Sequence, residues 1–425
     1  MAEMNFTPSQ QDAIFSRGST VLVSAAAGSG KTRVLTERLM AYLTDANDPA
    51  DVDQFLIITF TRAAAGELRS RIQDAIAEHI AADPENLRLR RQSALCAHAQ
   101  IGTIHSFCGA LLRDHCAEAG LAPDFTIVDD QRAQALMASA LEKTLDAAYE
   151  KINEDASLRL LVDTVGAGRD DLRLSVLTRQ IYDRMQSHPR PKLWAERQIE
   201  ALRLEGVTDV AQTIWGTELL GRAERTLCHW SDVLDRLVQE ISTPENAWLG
   251  DKYIPNLDTS GEGIRRALRA VAQGWDAACD AINEIIFPRV PTVRNPIDPD
   301  YKDRIKAERD RCKYAIEQLQ KQFTAPSETL LDDLRATAPA MERLLQLALD
   351  FGAVYQKEKQ RRALVDYADL EHLAAQILTD ESGAPTPLAQ SVSERFREIM
   401  VDEYQDVSEV QDLIFRAVSR KETNL

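Results

Sequence analysis

The sequence lacks the segments that would place a protein in or across a membrane. No apolar run approaches the roughly 20 residues that cross a bilayer. The N-terminus, MAEMNFTPSQQDAIF, has no basic region followed by an apolar one, so it does not have the form of a secretory signal. With 425 residues, 44% of them apolar, the chain is long enough for two or three packed domains. These features predict a cytoplasmic protein that does not bind a membrane.

Paired cysteines are also missing. The six cysteines include no C-x-x-C pair, so neither a disulfide framework nor a cysteine-rich zinc site is indicated. One stretch contains His105, Cys108, His115 and Cys116, and could bring metal-ligating side chains onto one helix face. Reduced thiols with a structural role are the favoured interpretation.

Positive charge is in deficit. The formal net charge is −17, which by itself disfavours a nucleic-acid partner, because phosphate contacts come mainly from Lys and Arg. Basic residues are nevertheless dense in three stretches, 87–92, 301–313 and 357–362. Such stretches are usually solvated helix faces, so the charge leaves a nucleic-acid partner open.

Short apolar runs alternate with helical patterns at both ends of the chain. The runs TVLVSA (20–25), FLIITF (55–60), IGTI (101–104) and 398–402 are each followed by apolar residues at helical spacing. This alternation predicts an α/β fold with a mostly parallel sheet and helices on both sides.

The middle of the chain has a different character. From about residue 118, helical periodicity continues with almost no strand-like run. Two proline-rich stretches, 243–258 and 286–301, are interpreted as loops between helical subdomains. The simplest architecture is one α/β domain in two parts, 1–117 and 363–425, separated by a helical insertion at 118–362.

The loop AAAGSGKT (25–32) has the features that phosphate binding needs. Gly28 and Gly30 allow backbone amides to approach phosphate oxygens, Lys31 supplies positive charge, and Thr32 can coordinate magnesium. The N-terminus of the following helix adds its dipole. Ala25 stands where the usual pattern begins with glycine, but that position mainly requires a small residue. The loop therefore predicts a site for ATP with Mg²⁺.

A phosphate loop needs an acidic partner at the end of another strand. VDEYQD (401–406) supplies one. Asp402 is the candidate magnesium ligand together with Thr32, Glu403 is the candidate base that activates the attacking water, and Gln405 is placed to sense the γ phosphate. An acidic cluster after a strand is more often a helix cap, so this interpretation depends on the phosphate loop.

Five blocks in this order resemble the superfamily 1A DNA helicases, the family of UvrD, Rep and PcrA and of the RecB and AddA helicase-nuclease subunits. FTPSQQDAI (6–14) resembles the Q motif, AAAGSGKT motif I, TFTRAAAGELRSRI (59–72) motif Ia, GTIHSF (102–107) motif Ib and VDEYQD motif II. The resemblance implies a RecA-like P-loop NTPase domain, 1A, interrupted by a large all-helical insertion, 1B.

The resemblance also implies roles for individual residues. Gln10 matches the glutamine that recognises adenine. The implied ATP-binding residues are Gln10, Ala25, Ala26, Ala27, Gly28, Ser29, Gly30, Lys31, Thr32 and Arg33. The catalytic ones are Lys31, Asp402, Glu403 and Gln405.

Motifs Ia and Ib line the single-stranded DNA channel of the family. By this resemblance, the DNA contacts of this chain are Thr59, Phe60, Thr61, Thr103 and His105. Phe60 could stack on a base, although a phenylalanine that ends a buried strand could equally belong to the core. Arg62 and Ala63 replace an Asn-Lys pair common in UvrD-like members, which leaves their contacts open.

The long segment between motifs Ib and II, with DYADLEHLA (366–374), favours the AddA-type helicase-nuclease subunits; another UvrD-, Rep- or RecB-like helicase is the alternative. The resemblance then implies an ATP-dependent 3′–5′ DNA helicase of double-strand break repair and recombination. It also implies a bacterial, nucleoid-associated protein, an exonuclease in the complete protein and a partner subunit of the AddB type. Motif III and later motifs find no match before Leu425, so we expect an N-terminal part that by itself scarcely hydrolyses ATP.

A hypothesis of a different class is a non-catalytic module whose helical insertion docks a partner or DNA. The two hypotheses differ on Lys31→Ala, which abolishes function only if the phosphate loop acts on ATP. A small-molecule P-loop kinase is disfavoured, because DEYQD and the DNA-channel motifs have no role in such an enzyme.

Overall fold

The computed structural model describes residues 6–26, 28–165, 172–294, 296–420 and 423–425. Within these ranges, the strands are β1 (Phe55–Ile58), β2 (Gln100–Gly102), β3 (Thr126–Ile127), β4 (Leu364–Val365) and β5 (Glu398–Val401). The helices are α1 (Pro8–Phe15), α2 (Lys31–Leu43), α3 (Arg62–Ala82), α4 (Leu87–Leu95), α5 (Ile104–Asp114), α6 (Asp130–Tyr149), α7 (Ala156–Val165), α8 (Leu172–Met185), α9 (Pro191–Leu202), α10 (Ile214–Ile241), α11 (Ala247–Val271), α12 (Trp275–Asn283), α13 (Pro299–Gln320), α14 (Ser327–Gln360), α15 (Tyr367–Leu378), α16 (Pro387–Glu394) and α17 (Glu409–Ala417). None of these helices is both long and apolar enough to span a membrane.

Three parallel strands form the larger sheet, in the order β2-β1-β5. Successive side chains of β1 face opposite sides, as the pleat of a strand requires. Phe55 and Ile57 pack in a core with residues of α2 and α3, whereas Leu56 and Ile58 pack in another with residues of α5, α15 and α17. The predicted parallel sheet with helices on both sides is therefore confirmed.

Three of the predicted strands are present but end earlier than predicted. The chain leaves β1 after Ile58, β2 after Gly102 and β5 after Val401. Thr61 and Thr103, which follow the first two strands closely, accept hydrogen bonds from backbone amides in the first turns of α3 and α5. Thr103 within the run 101–104, and Thr61 just after the run 55–60, therefore cap helices instead of extending the sheet.

The strand predicted at 20–25 is wrong. This segment forms no ladder with another strand in the described part of the chain, and Leu22 is 80% exposed. An apolar sequence becomes a strand only where a neighbour pairs with its backbone groups. A backbone hydrogen bond runs from Val21 N to Leu425 O, at 3.2 Å, while Ile399 N of β5 donates to Asn424 O at 2.7 Å. Residues 424 and 425 thus link the segment to the sheet.

One of the two predicted proline-rich loops is wrong as well. Residues 284–298, apart from the undescribed residue 295, connect α12 and α13 without regular structure, as predicted. Residues 247–258, however, belong to α11, with Pro255 inside the helix. An interior proline costs about 3 kcal/mol, but Leu249, Tyr253 and Leu257 on one face of α11 are buried in a core with α10 and α13. Burial of that face outweighs the local penalty.

The contacts divide the chain into two compact units. The first comprises residues 1–197 and 344–425, and includes α6, α7 and α8 together with the three-stranded sheet. The second comprises residues 198–343 and is all-helical. Its core contains the fully buried Trp275, whose ring stacks on Phe323 at 4.4 Å and whose Nε1 donates to Ala325 O at 3.0 Å.

A buried ion pair connects three separate elements of the first unit. Arg38 of α2 donates through Nε and Nη2 to both carboxylate oxygens of Glu398 in β5, at 2.5 and 2.9 Å. Arg38 Nη1 also donates to Ala13 O of α1, at 2.6 Å, and Tyr42 OH donates to Glu398. Because Arg38 and Glu398 are almost fully buried, each charge depends on the other for its compensation.

We expect Arg38→Met to lower the free energy of unfolding by about 3 to 5 kcal/mol, because it leaves the buried Glu398 charge unpaired. Urea denaturation followed by circular dichroism checks this. Arg71→Met is the matched control, since the Arg71–Glu67 pair lies on an exposed helix face and its loss costs less than about 1 kcal/mol. Equal effects of the two substitutions would contradict the expectation.

Candidate nucleotide and nucleic-acid site

The carboxyl ends of the three parallel strands meet at one edge of the sheet. Asp402 follows β5, and its backbone N–H donates to Ile58 O at 2.9 Å. Thr59 follows β1, and its N–H donates to Gly102 O of β2 at the same distance. Predicted residues from motifs Ia, Ib and II are thereby neighbours along this edge, although Thr59 and Asp402 are 343 positions apart in sequence. In parallel α/β sheets this edge is where ligands bind.

The phosphate loop has the backbone conformation that its glycines predict. Gly28 and Gly30 have φ angles of 78° and 86°, in the left-handed region where a side chain is strained. Lys31 Nζ folds back over the loop and donates to Ala25 O at 3.1 Å. Ala26 O accepts a hydrogen bond from Ser29 N, whereas Ala27, also predicted to bind ATP, lies outside the described residues.

The N-terminus of α2 is equipped for an anion. Its N-cap is Gly30, which provides no side-chain cap, and its first turn contains no acidic residue. The helices that follow β1 and β2 differ, since Thr61 and Thr103 cap them. Uncapped amides at a helix N-terminus are unsatisfied donors at the positive end of the dipole. With Lys31 and Thr32 in that first turn, the residues fit a phosphate chain and a magnesium ion.

The Q-motif residue Gln10 contacts the phosphate loop directly. Its Nε2 donates to Ser29 O at 3.2 Å, and its Oε1 accepts from Thr7 N at 2.9 Å. Nearby, the guanidinium of Arg33 lies over the Phe6 ring, 4.9 Å from its centroid. These contacts hold α1 beside the loop, and recognition of adenine by Gln10 stays a prediction.

The motif II segment presents an exposed carboxylate on a strained backbone. Glu403 has φ 53° and ψ 46°, a left-handed conformation that costs a residue with a side chain on the order of 1 to 3 kcal/mol. Gln405 Nε2 donates to the Glu403 carboxylate. Tyr404 OH donates to Asp412 of α17; burial and this hydrogen bond raise the pKa of Tyr404 to about 12. Such strain persists where the surroundings impose it, often at functional sites.

The five predicted DNA contacts fall into two groups. Thr59 and Thr103 are buried, and their hydroxyls bond within their own turns, to Thr61 O at 3.1 Å and to Ser106 at 3.0 Å. Thr61 caps α3. Phe60 is 68% exposed, so the alternative that it belongs to the core is wrong. Phe60 and the partly exposed His105 are therefore the two members of the set best placed for an external ligand.

Sequence reasoning did not single out the residues that surround His105. The His105 ring lies 4.7 Å from the Tyr367 ring, and its Nε2 lies 3.1 Å from Glu371 Oε1, within ion-pair distance. Arg62 Nη2 donates to Tyr367 OH at 3.3 Å. Tyr367 and Glu371 are four residues apart on α15, and this spacing puts them on one helix face. That spacing within DYADLEHLA was the available signal.

A second buried charge cluster fixes the beginning of α15. Lys359 Nζ, at the end of α14, lies 2.8 Å from Asp366 Oδ2 and 2.6 Å from Asp369 Oδ2. Lys359 also lies over the Tyr355 ring, 4.2 Å from its centroid. Burial, together with the adjacent Asp366 charge, raises the pKa of Asp369 to about 6. The cluster thus positions the helix that carries Tyr367 and Glu371.

The cysteine and histidine stretch does not form a metal site. Cys108 is fully buried, which raises the pKa of its thiol well above the usual range. His105 and His115 lie within ion-pair distance of Glu371 and Glu118 respectively. No group of three or more His, Cys, Asp or Glu side chains is arranged to hold a metal within the described ranges.

The sequence profile of the UvrD/REP helicase N-terminal domain matches residues 6–425. The match includes the phosphate loop, the carboxyl edge and motif II. The chain therefore belongs to this family of helicase domains.

More specific similarity is to proteins named as the A subunit of an ATP-dependent helicase/nuclease. Those of Ruminiclostridium cellulolyticum and Pelotomaculum thermopropionicum are 34% and 37% identical, over 99% and 98% of this chain. That of Desulforudis audaxviator is 36% identical over 99%. The chain spans about a third of the length of these relatives, namely 34%, 33% and 35%.

Phe60→Ala is expected to weaken binding of a fluorescein-labelled oligothymidylate by about 5- to 150-fold in fluorescence anisotropy. Loss of one stacked base costs about 1 to 3 kcal/mol. Phe15→Ala is the matched control, because Phe15 is 65% exposed but lies at the end of α1. If both variants bind like the wild type, Phe60 does not stack on a base.

The raised pKa of the Asp369 carboxyl should make the stability of the protein depend on pH. Its folded-state pKa of about 6 lies above the ordinary value of 3.8, so the folded state holds the proton more tightly and this contribution is lost as pH rises from about 4 to 6. Between pH 4 and pH 7 the free energy of unfolding of the wild type should fall by a contribution on the order of 2 to 3 kcal/mol from this carboxyl, and Asp369→Asn should abolish that contribution. Urea denaturation at pH 4 and pH 7 measures it.

The matched control for this experiment is Asp303→Asn. Asp303 is an exposed carboxyl of α13, and its replacement should leave the wild-type pH profile in place. A profile for Asp369→Asn that is as steep as that of the wild type would contradict the prediction.

Proposed function

We propose that this chain is the ATP- and single-stranded-DNA-binding part of an ATP-dependent DNA helicase, a 3′–5′ motor of a helicase-nuclease that acts in double-strand break repair and recombination. The observation that carries the proposal is the uncapped N-terminus of α2, with Lys31 and left-handed Gly28 and Gly30. It lies in a unit whose sheet presents Asp402 and Glu403 at its carboxyl edge.

The phosphate chain of ATP would be held by the amides of residues 28–32 and by the Lys31 ammonium. To reach a phosphate, this ammonium has to exchange only an exposed bond to Ala25 O. Thr32 and Asp402 would hold Mg²⁺. Bound MgATP supplies the phosphoanhydride bond whose cleavage releases the energy for movement. In this assignment Gln10, Ala25, Ala26, Ala27, Ser29 and Arg33 complete the nucleotide site.

Glu403 is the proposed general base. Its carboxylate is exposed and accepts a hydrogen bond from Gln405 Nε2, so both side chains lie together where an attacking water would have to be oriented. A carboxylate held by a neighbouring donor keeps a fixed direction, which a base needs for proton transfer. In this proposal Glu403 accepts the proton of the attacking water. Gln405 orients the Glu403 carboxylate and contacts the γ phosphate.

Single-stranded DNA is the proposed ligand of the motif Ia and Ib side of the carboxyl edge. An exposed aromatic ring, Phe60, provides a stacking surface, and Arg62 with His105 adds donors for phosphate or sugar. We assign Thr59, Thr61 and Thr103 to shaping the backbone there. This reconciles DNA binding with a net charge of −17, because stacking needs few cations.

For the architecture, we propose a RecA-like domain 1A in two parts, 1–117 and 363–425, interrupted by a helical insertion 1B at 118–362. The all-helical second unit, 198–343, supports the central part of that assignment. Because the relatives are named as one subunit of a helicase/nuclease, we propose that the chain has a partner of the AddB type. A complete protein with this partner would act in the bacterial cytoplasm at the nucleoid, and exonuclease activity would reside outside these 425 residues.

Lys31→Ala in the complete gene product tests the function. Removing the phosphate-binding cation should lower DNA-stimulated ATP hydrolysis by about 10² to 10³, as measured by phosphate release with oligothymidylate present. Lys252→Ala is the control, since Lys252 is an exposed lysine of α11 in the other unit and its loss should leave the rate unchanged. Full activity of Lys31→Ala would favour the non-catalytic module instead.

A further inference from the structure

We propose that Glu371 is a positioning residue that couples the nucleic-acid edge, through His105, to the motif II loop, through Gln411. This inference deepens the proposed function and rests on it. Neither Glu371 nor Gln411 belongs to the motifs that predicted the nucleotide and DNA contacts. Both lie between those motifs in the folded chain.

The coupling begins at one shared carboxylate oxygen. Glu371 Oε1 accepts a hydrogen bond from Gln411 Nε2 at 2.7 Å, and the same oxygen lies 3.1 Å from His105 Nε2, within ion-pair distance. Because both side chains contact the same atom, a displacement of either one changes the contact of the other. Glu371 is only 8% exposed, so water cannot easily replace a donor that leaves.

On one side this oxygen leads to the predicted DNA contacts. His105 lies against Tyr367, whose hydroxyl accepts a hydrogen bond from Arg62 at the beginning of α3. Arg62 follows Phe60 and Thr61 directly. Single-stranded DNA that stacks on Phe60 or contacts His105 would therefore contact residues that touch Glu371 or the helix α15 that carries it.

On the other side the oxygen leads to motif II. Gln411 is the third residue of α17 and forms a capping box with Ser408, bonding Ser408 N through its Oε1 at 3.4 Å. The adjacent Asp412 accepts the hydrogen bond of Tyr404 OH. Tyr404 lies between Glu403 and Gln405, the proposed base and its partner. The first turn of α17 thus contacts the motif II loop through Asp412 and Glu371 through Gln411.

A contiguous set of side-chain contacts becomes a coupling only if both sites bias it. The strained left-handed backbone of Glu403 provides an element that can be biased, because a small shift of α17 changes how strongly that conformation is imposed. We infer that DNA at His105 tightens this arrangement and places the Glu403 carboxylate for catalysis.

The test compares Glu371→Gln, Gln411→Glu and the double exchange in the complete gene product, together with any protein that copurifies. Glu371→Gln turns the shared acceptor into an amide, and Gln411→Glu sets two carboxylates together. In the double variant the amide at position 371 can donate to the carboxylate at 411 and still accept from His105. Glu at 411 retains the capping box with Ser408, so the helix start is conserved.

The measured quantity is the ratio of ATP hydrolysis rates with and without saturating oligothymidylate. Each single variant should lower this ratio by about fivefold or more, while the affinity for a fluorescent ATP analogue without DNA stays within about twofold. The double exchange should recover most of the ratio. A purely structural role would instead lower the melting temperature and both rates together, leaving their ratio unchanged.

Two results would overturn the coupling: an unchanged ratio in both single variants, or a double variant no better than the worse single one. These differ from failure of the proposed function. If hydrolysis by the wild type does not respond to DNA at all, or Lys31→Ala remains fully active, the helicase assignment falls and the coupling falls with it.

Discussion

The buried pair of Arg38 and Glu398 is the interaction on which the proposed nucleotide site depends. Arg38 lies seven residues after Lys31 on α2, Glu398 lies four residues before Asp402, and the Arg38 guanidinium also bonds α1, the helix of Gln10. One guanidinium thereby fixes the relative positions of three segments that carry residues of the proposed ATP site. A buried ion pair adds little net stability compared with apolar packing. Its contribution here is a defined geometry, because the bidentate contact permits one arrangement of helix and strand.

A buried cation with acidic partners also positions the proposed nucleic-acid edge. Lys359 between Asp366 and Asp369 holds the first turn of α15, and from that helix Tyr367 and Glu371 reach His105. Both clusters bury a cation with acidic partners and lie behind, not within, the surfaces that would meet a ligand. The exposed residues Phe60 and Glu403 lie outside both clusters and face solvent.

The helices of this unit that follow the strands of the sheet differ from α2 in how their N-termini are capped. The N-caps of α3, α5 and α17 are Thr61, Thr103 and Ser408, whose hydroxyls satisfy backbone donors. Only a glycine precedes α2, and its donors have no side-chain cap. Of these four helices, the one that would gain most from an anion is thus the one that follows the phosphate loop. Membership of the UvrD/REP helicase domain family accords with this distinction.

Local chemistry was determined by the sequence alone: the left-handed glycines, the helix after the loop, the strand-forming runs of β1, β2 and β5 and the acidic residues after β5 all follow from short-range preferences. The tertiary structure decided whether segments paired and what each side chain faced. Residues 20–25 have strand-like composition but pair with no strand among the residues that the structure describes. Pro255 lies in a helix because its neighbours are buried, and Phe60 is exposed. The contacts of Arg38 with Glu398, and of Glu371 with His105 and Gln411, join residues 360, 266 and 40 positions apart. No local pattern encodes such pairs, because they depend on how the whole chain packs.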